Sequence, residues 1–211
     1  MSSTAISAQG STLAIGTGTA GAKTITAMAP GNPTIFTITA HGFANGDVVA
    51  IASVVGTAAT TVNVTASVRN VTANTFAIYV DTTGLLYTSG GTATPTTFTN
   101  IGNIKDFTGF DGTASEIDVT NLDSTAKEFR LGLTDPGQFS CNVDYNAADA
   151  GQIALRAKQV SGALSAFKLT LPDSTVVTFN GYVKKKGMSG GVDQVAKSAV
   201  DIRISGPVTG L

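Results

Sequence analysis

The sequence predicts a mainly β protein, an antiparallel sandwich with barrel-like character carrying one short α-helix, plus a small inserted all-β domain. Three observations lead there. Charged residues make up only 13% of the 211 positions, while 24 glycines and many Thr, Ser and Ala fill the rest, a content that disfavours helices and suits strands joined by turns. Short runs of alternating apolar and polar residues recur between turn signals. Charge is also split unevenly. Residues 1–98 hold only Lys23, Asp47, Arg69 and Asp81, and residues 99–211 hold the other 23 of the 27 charged side chains. That shift predicts two folding units.

Taken in order, Thr12–Ile15 is the first strand candidate, and residues 1–18 are assigned to the larger domain as an N-terminal arm and first strand. Residues 19–98 are expected to be the inserted module and its linker. Within it Thr34–Thr39, Val48–Ala52, Val62–Val68 and Thr75–Val80 read as strands, bounded by the turn chemistry of Pro30-Gly31-Asn32-Pro33, Asn45-Gly46-Asp47 and Thr82-Thr83-Gly84. The Gly- and Thr-rich stretch Thr88–Thr99 reads as the linker.

The larger domain then spans 99–211. Ile101–Phe107 reads as a strand, and in the next one Glu116 and Asp118 share one face while Ile117 and Val119 share the other. Asn121–Pro136 is too polar for core and reads as a long loop. Phe139, Cys141, Val143 and Tyr145 alternate with Ser140, Asn142 and Asp144. Asn146 is the expected helix N-cap, Ala150, Ile153, Ala154, Ala157 and Val160 the buried stripe, and Gly162 the stop. Leu164–Leu171 and Thr175–Val183 form a hairpin through Pro172-Asp173, and Val192–Ser205 is a last strand with Val200, Ile202 and Ile204 inward.

Several functions find little in the residues. A formal net charge of −1 gives no basic field for nucleic acid or an anionic membrane. The single cysteine, Cys141, excludes an intrachain disulfide and a cysteine-built zinc site, and reads as a buried thiol. No run approaches the ~20 apolar residues of a membrane span, and no secretory leader is legible, so a soluble protein made in a cytosol is expected. His41, the one histidine, reads as a turn residue; any serine-type triad would have to use it. Lys184-Lys185-Lys186 reads as a solvated strand end or a salt-bridging element toward a neighbouring subunit, and the following glycines lack the order of a phosphate-binding loop. No catalytic residue, cofactor or metal ligand is assigned.

Several blocks within 99–211 agree in order and spacing with a known family: EIDVTNLDSTAKEF (116–129), GLTDPG (132–137), NAADAGQIAL (146–155), LTLPDSTVVTFNGYV (169–183) and VDIRISG (200–206). Together they resemble the major tail tube protein of long, non-contractile-tailed bacteriophages (siphophages), with residues 9–18 as a further strand. In the inserted stretch, ITAHGFANGDVVAI (38–51) resembles a β module that decorates phage structural proteins.

The resemblance implies a structural virion protein of the tail, assembled in the host cytoplasm, that forms hexameric rings stacked into a tube for DNA ejection. It implies as partners further copies of itself and the tail tip or baseplate, tape measure and tail terminator proteins, with DNA passing the lumen without specific binding. It also implies that the loop after the second strand reaches a neighbouring ring. Asp123, Lys127, Glu128, Phe129, Arg130, Leu131 and Leu133 are the residues expected in that contact.

Energetics agree with an intersubunit role. Ordering ~15 residues costs on the order of 15–30 kcal/mol, which needs roughly 600–1,200 Å² of apolar burial to offset. Glu116, Asp118, Asn142 and Asp144, with the last two expected on the adjacent strand, are candidate lumen-facing groups, the acids among them repelling phosphate; solvated positions on an open face are the alternative. A carbohydrate- or cell-surface-binding β module of a phage or surface structural protein is the alternative function.

Overall fold

The computed structural model describes residues 5–210; the first four residues of the 1–18 arm and the final residue of the 99–211 domain lie outside them. In chain order the elements are β1 (Thr12–Thr19), β2 (Lys23–Thr24), β3 (Ala27–Ala29), β4 (Thr34–Thr37), β5 (Val48–Val55), α1 (Ala59–Val62), β6 (Thr65–Ser67), β7 (Thr75–Ile78), β8 (Ser89–Ile101), β9 (Ile104–Gly109), β10 (Ala114–Asp118), β11 (Phe129–Thr134), β12 (Gln138–Asp144), α2 (Ala150–Ser161), β13 (Ser165–Thr170), β14 (Val176–Lys186) and β15 (Lys197–Ile204). The protein is mainly β and its mapped strand pairs are antiparallel. The chain forms two compact units.

The first unit comprises the described part of Met1–Asn100 with Ala166–Thr178 and Thr209–Leu211. Its strands run β6-β5-β8-β1-β13, with β2 on β8, and a second small sheet runs β3-β4-β7. Phe36, Ile38, Phe43, Val49, Ile51, Val54, Val62, Phe76 and Ile78 make its core, with Phe36 and Phe76 stacked at 5.5 Å. Hydroxyl pairs supplement the apolar packing: Thr34 to Thr82 at 2.8 Å, and Thr178 to both Ser67 and Thr209.

Two expectations are corrected here. Thr88–Thr99 is no linker: most of it lies in the 13-residue β8, which pairs with β5 from Val49↔Pro95 to Val55↔Ser89. Its threonines suit a pleated strand, and Ala93 is its buried anchor. Val62 ends the short helix α1 rather than opening a strand, with its side chain buried.

The second unit comprises Ile101–Ser165 and Phe179–Val208. Here β14 pairs β15, β15 pairs β12, and β12 pairs β9. The predicted alternation holds along β12, where Phe139, Cys141 and Val143 are buried, as are Val200, Ile202 and Ile204 on β15, but not at Tyr145, which lies past the strand's end and is exposed. Phe139 sits between Phe107, Phe110 and Phe179 with ring centroids 5.3–6.0 Å apart. Ile101 closes β8, and β9 starts only at Ile104, because Asn103 adopts φ 62° and breaks the ladder. The last strand is shorter than expected, with Val192 and Val195 exposed ahead of it.

The helix is where the sequence and the structure part most. Asp149, not Asn146, is the N-cap; its carboxylate accepts from Gln152 N at 2.8 Å. Gly162 does end the helix, at φ 64°. The buried face is Gly151, Gln152 and Leu155, and the expected stripe residues Ile153 and Val160 are exposed. Gln152 explains the rotation. Its Nε2 donates to the carbonyls of Gly102 (3.3 Å) and Asp144 (3.0 Å), and its Oε1 accepts from Asn146 N (3.1 Å). Half-buried backbone carbonyls that face the helix are met by an amide there, and no apolar side chain supplies one.

Candidate functional site

The stretch expected as a loop, Asn121–Pro136, is largely an arm with its own secondary structure. Phe129–Thr134 forms β11 and pairs with β10 in a separate two-stranded sheet, with Glu116↔Leu131, Ile117↔Arg130 and Asp118↔Phe129 in register. The period-2 spacing of Phe129, Leu131 and Leu133 was the sequence signal for this strand. Beyond the ladder, Val119 N donates to Glu128 O (2.9 Å) and Glu128 N donates to Thr120 Oγ1 (3.0 Å). The tip is a turn in which Ser124 N reaches Asn121 O, and the Asn121 side chain takes Asp123 N.

The ribbon has two unlike faces. Residues opposite one another on paired strands share a face, so Glu116, Asp118, Phe129 and Leu131 lie together, and Ile117 and Arg130 lie on the reverse; Leu133 falls at a bulge, where the register shifts between Glu116↔Leu131 and Ala114↔Thr134. The aromatic and aliphatic members are unburied: Phe129 is 52% exposed, Leu131 75% and Leu133 91%. Leu122 at the tip is fully exposed. Lys127 reaches Asp118 only at 4.0 Å, both groups in solvent, a pair that contributes little. The Thr120 hydroxyl and backbone N–H hold the Asp118 carboxyl below its ordinary pKa. At the ribbon's base, Gly137 N–H and then the Arg203 guanidinium, 2.5 Å away, do the same for Asp135.

The four acidic and amide positions expected together are not on adjacent strands. Glu116 and Asp118 belong to the ribbon, whereas Asn142 and Asp144 belong to β12, whose neighbours are β9 and β15. Asn142 donates to Asp106 (2.7 Å), and Asp144 pairs with Lys105 (2.9 Å).

The remaining singled-out residues have structural partners. His41 directly follows the turn at Thr39-Ala40 and is buried. Its Nδ1 accepts from Phe43 N (2.9 Å), so Nε2 carries the proton and faces Thr75 O at 3.2 Å, with the ring against Phe43 and Phe76. Burial, aided by the negative charges of Asp106 and Asp201, pushes the Cys141 thiol up to about 12. Among the described residues no group of three or more His, Cys, Asp or Glu side chains is placed to hold a metal ion, and no helix is long and apolar enough to cross a membrane.

A second surface feature, which the sequence reading placed in the core, lies along α2. Ile153, Ala157 and Val160 follow i, i+4, i+7 spacing. With Tyr145, Arg156 and Lys186 they line an open groove of about 570 Å³. Lys186 Nζ lies 5.4 Å from the Tyr145 ring centroid, a cation–π contact.

Residues 78–209 match the sequence model described as the lambda phage tail tube protein, TTP. Among solved structures, a chain of the tail of an empty GTA particle, computed with helical refinement in C6 symmetry, is similar at 19% identity and a TM-score of 0.46 over 54% of this chain and 86% of that one. No curated protein matches the sequence.

Proposed function

The chain belongs to the lambda phage tail tube protein family, structural proteins of the virion tail, and from that premise we propose that it assembles with copies of itself into hexameric rings stacked as the tube through which DNA is ejected. The observation that carries the reading is the β10–β11 ribbon, whose Phe129 and Leu131 stand in solvent on one face, with Leu133 exposed at the adjoining bulge. A free subunit exposing such a stripe gains by covering it, and Asp123, Lys127, Glu128 and Arg130 surround it as the polar margin of an inter-ring contact.

In this reading 1–18 and 99–211 are the tube domain, and 19–98 is an insertion carried by it. Glu116, Asp118, Asn142 and Asp144 remain proposed lumen groups, although the first two share the ribbon's apolar face and so compete for that role with the contact. Tail tip or baseplate, tape measure and terminator proteins are the further partners, assembly takes place in the host cytoplasm, and DNA passes without specific binding. No catalytic step or cofactor enters. Negative-stain microscopy of the purified protein should show rings or hollow tubes six-fold in end view; protein that stays monomeric across concentration and salt refutes the reading.

A further inference from the structure

We propose that the α2 groove is the receptor for the β10–β11 ribbon of a second copy of this chain, acids of the ribbon facing cations of the groove. The inference rests on the self-assembly reading above and gives its contact a defined partner surface.

The two surfaces are complementary in kind. The ribbon face sets Glu116 opposite Leu131 and Asp118 opposite Phe129, so carboxylates stand beside unburied apolar side chains. The groove has the inverse arrangement. Ile153, Ala157 and Val160 form an apolar floor, and Arg156 and Lys186 stand at its side. Neither cation has a carboxylate within ion-pair distance among the described residues; Arg156 is bonded to the Gln159 amide at 2.9 Å. Partial burial, and then the neighbouring Arg156 charge, lower the pKa of Lys186. A carboxylate arriving beside the two cations relieves that repulsion, and apolar contact excludes the water that would screen it.

Like charge would reject other docking partners. A ribbon laid on a second ribbon by the same face would bring Glu116 and Asp118 toward their own copies, which disfavours a self-complementary ribbon dimer. Ribbon and groove are different surfaces of one chain, so their union is heterologous. It leaves a free ribbon and a free groove until the array closes on itself, so it propagates along a stack or closes as a ring.

The test uses the full chain in two arms. In the first, Arg156→Glu with Lys186→Glu, and separately Glu116→Lys with Asp118→Lys, should each lower tube yield at least ~10-fold, the loss expected when opposed charges become like ones. Their combination should restore tubes. Reversals that leave yield unchanged, or a combination that stays as poor as its parents, overturn the docking. In the second arm, Leu131→Cys and Val160→Cys proteins are mixed and oxidised with copper phenanthroline. A cross-linked dimer should form in the mixture and in neither protein alone, and its absence from tubes built by the mixture overturns the docking while the tube reading stands. Cross-linking in a preparation that never forms tubes supports the docking and defeats the tube reading. The second arm keeps its meaning if the charge variants misfold.

Discussion

Replacing Gln152 with alanine should destabilise the second unit severely, although neither its size nor its chemistry marks it as a core residue. The side chain is 1% exposed and satisfies three backbone groups: the carbonyls of Gly102 and Asp144 and the N–H of Asn146. The alanine variant strands the two half-buried carbonyls, whereas the Asn146 N–H belongs to an exposed residue and can turn to water. At about 1–3 kcal/mol for each buried group left without a partner, a loss of about 4 kcal/mol is expected. With about 2–4 °C per kcal/mol for a chain of this size, the melting transition should fall by roughly 8–16 °C. Gln152→Glu keeps the acceptor but sets a carboxylate against two carbonyl oxygens, so it should be at least as damaging at neutral pH and partly relieved on acidification, where protonation restores a donor. Thermal denaturation followed by circular dichroism reads both. An alanine variant melting within about 2 °C of wild type would refute the reasoning that the amide, and not Leu155 alone, seats the helix.

Three further outcomes are expected. Phe129→Ala, Leu131→Ala and Leu133→Ala together should leave subunit stability within about 1 kcal/mol, as exposed positions usually do, while abolishing tubes; thermal melts beside microscopy separate the two effects. Amide exchange at residues 119–134 should be fast in the free subunit, because a lone two-stranded ribbon is marginal in water, and much slower in tubes; equal rates would dismiss the ribbon as a contact. Asp135 has a folded-state pKa below its unfolded value, so its contribution is present above about pH 4 and lost as pH falls through the folded pKa. Its carboxyl resonance should therefore titrate below that of an exposed aspartate, and Arg203→Ala should move it upward.

What the sequence made legible follows from where each residue's partner lies. β12 and β15 could be read because strand burial has a two-residue period that apolar content reports directly: Phe139, Cys141 and Val143, then Val200, Ile202 and Ile204. The Gly162 stop was legible because a left-handed terminus is a local demand. The face of α2 was not, since what turns Gln152 inward is a set of carbonyls as many as 50 positions away in the chain. β8 was misread because Gly and Thr suit both linkers and strands, and only the distant β5 decides. At the candidate site, the acidic alternation of Glu116 and Asp118 and the exposed character of the arm were visible. The pairing that sets those acids beside Phe129 and Leu131 was not, because register between two strands leaves no mark in either one alone.

The uneven distribution of ion pairs separates how the two units answer to their surroundings. The first unit rests on apolar packing and hydroxyl pairs such as Thr34 with Thr82, and among the described residues has one ion pair, Lys168–Asp47. The second has the other four found among the described residues. Screening by added salt acts on charges and hardly at all on threonine hydroxyls. Ionic strength therefore acts more on the unit bearing the ribbon and the groove than on the other. A tail protein built this way meets a change of medium chiefly through one of its two units.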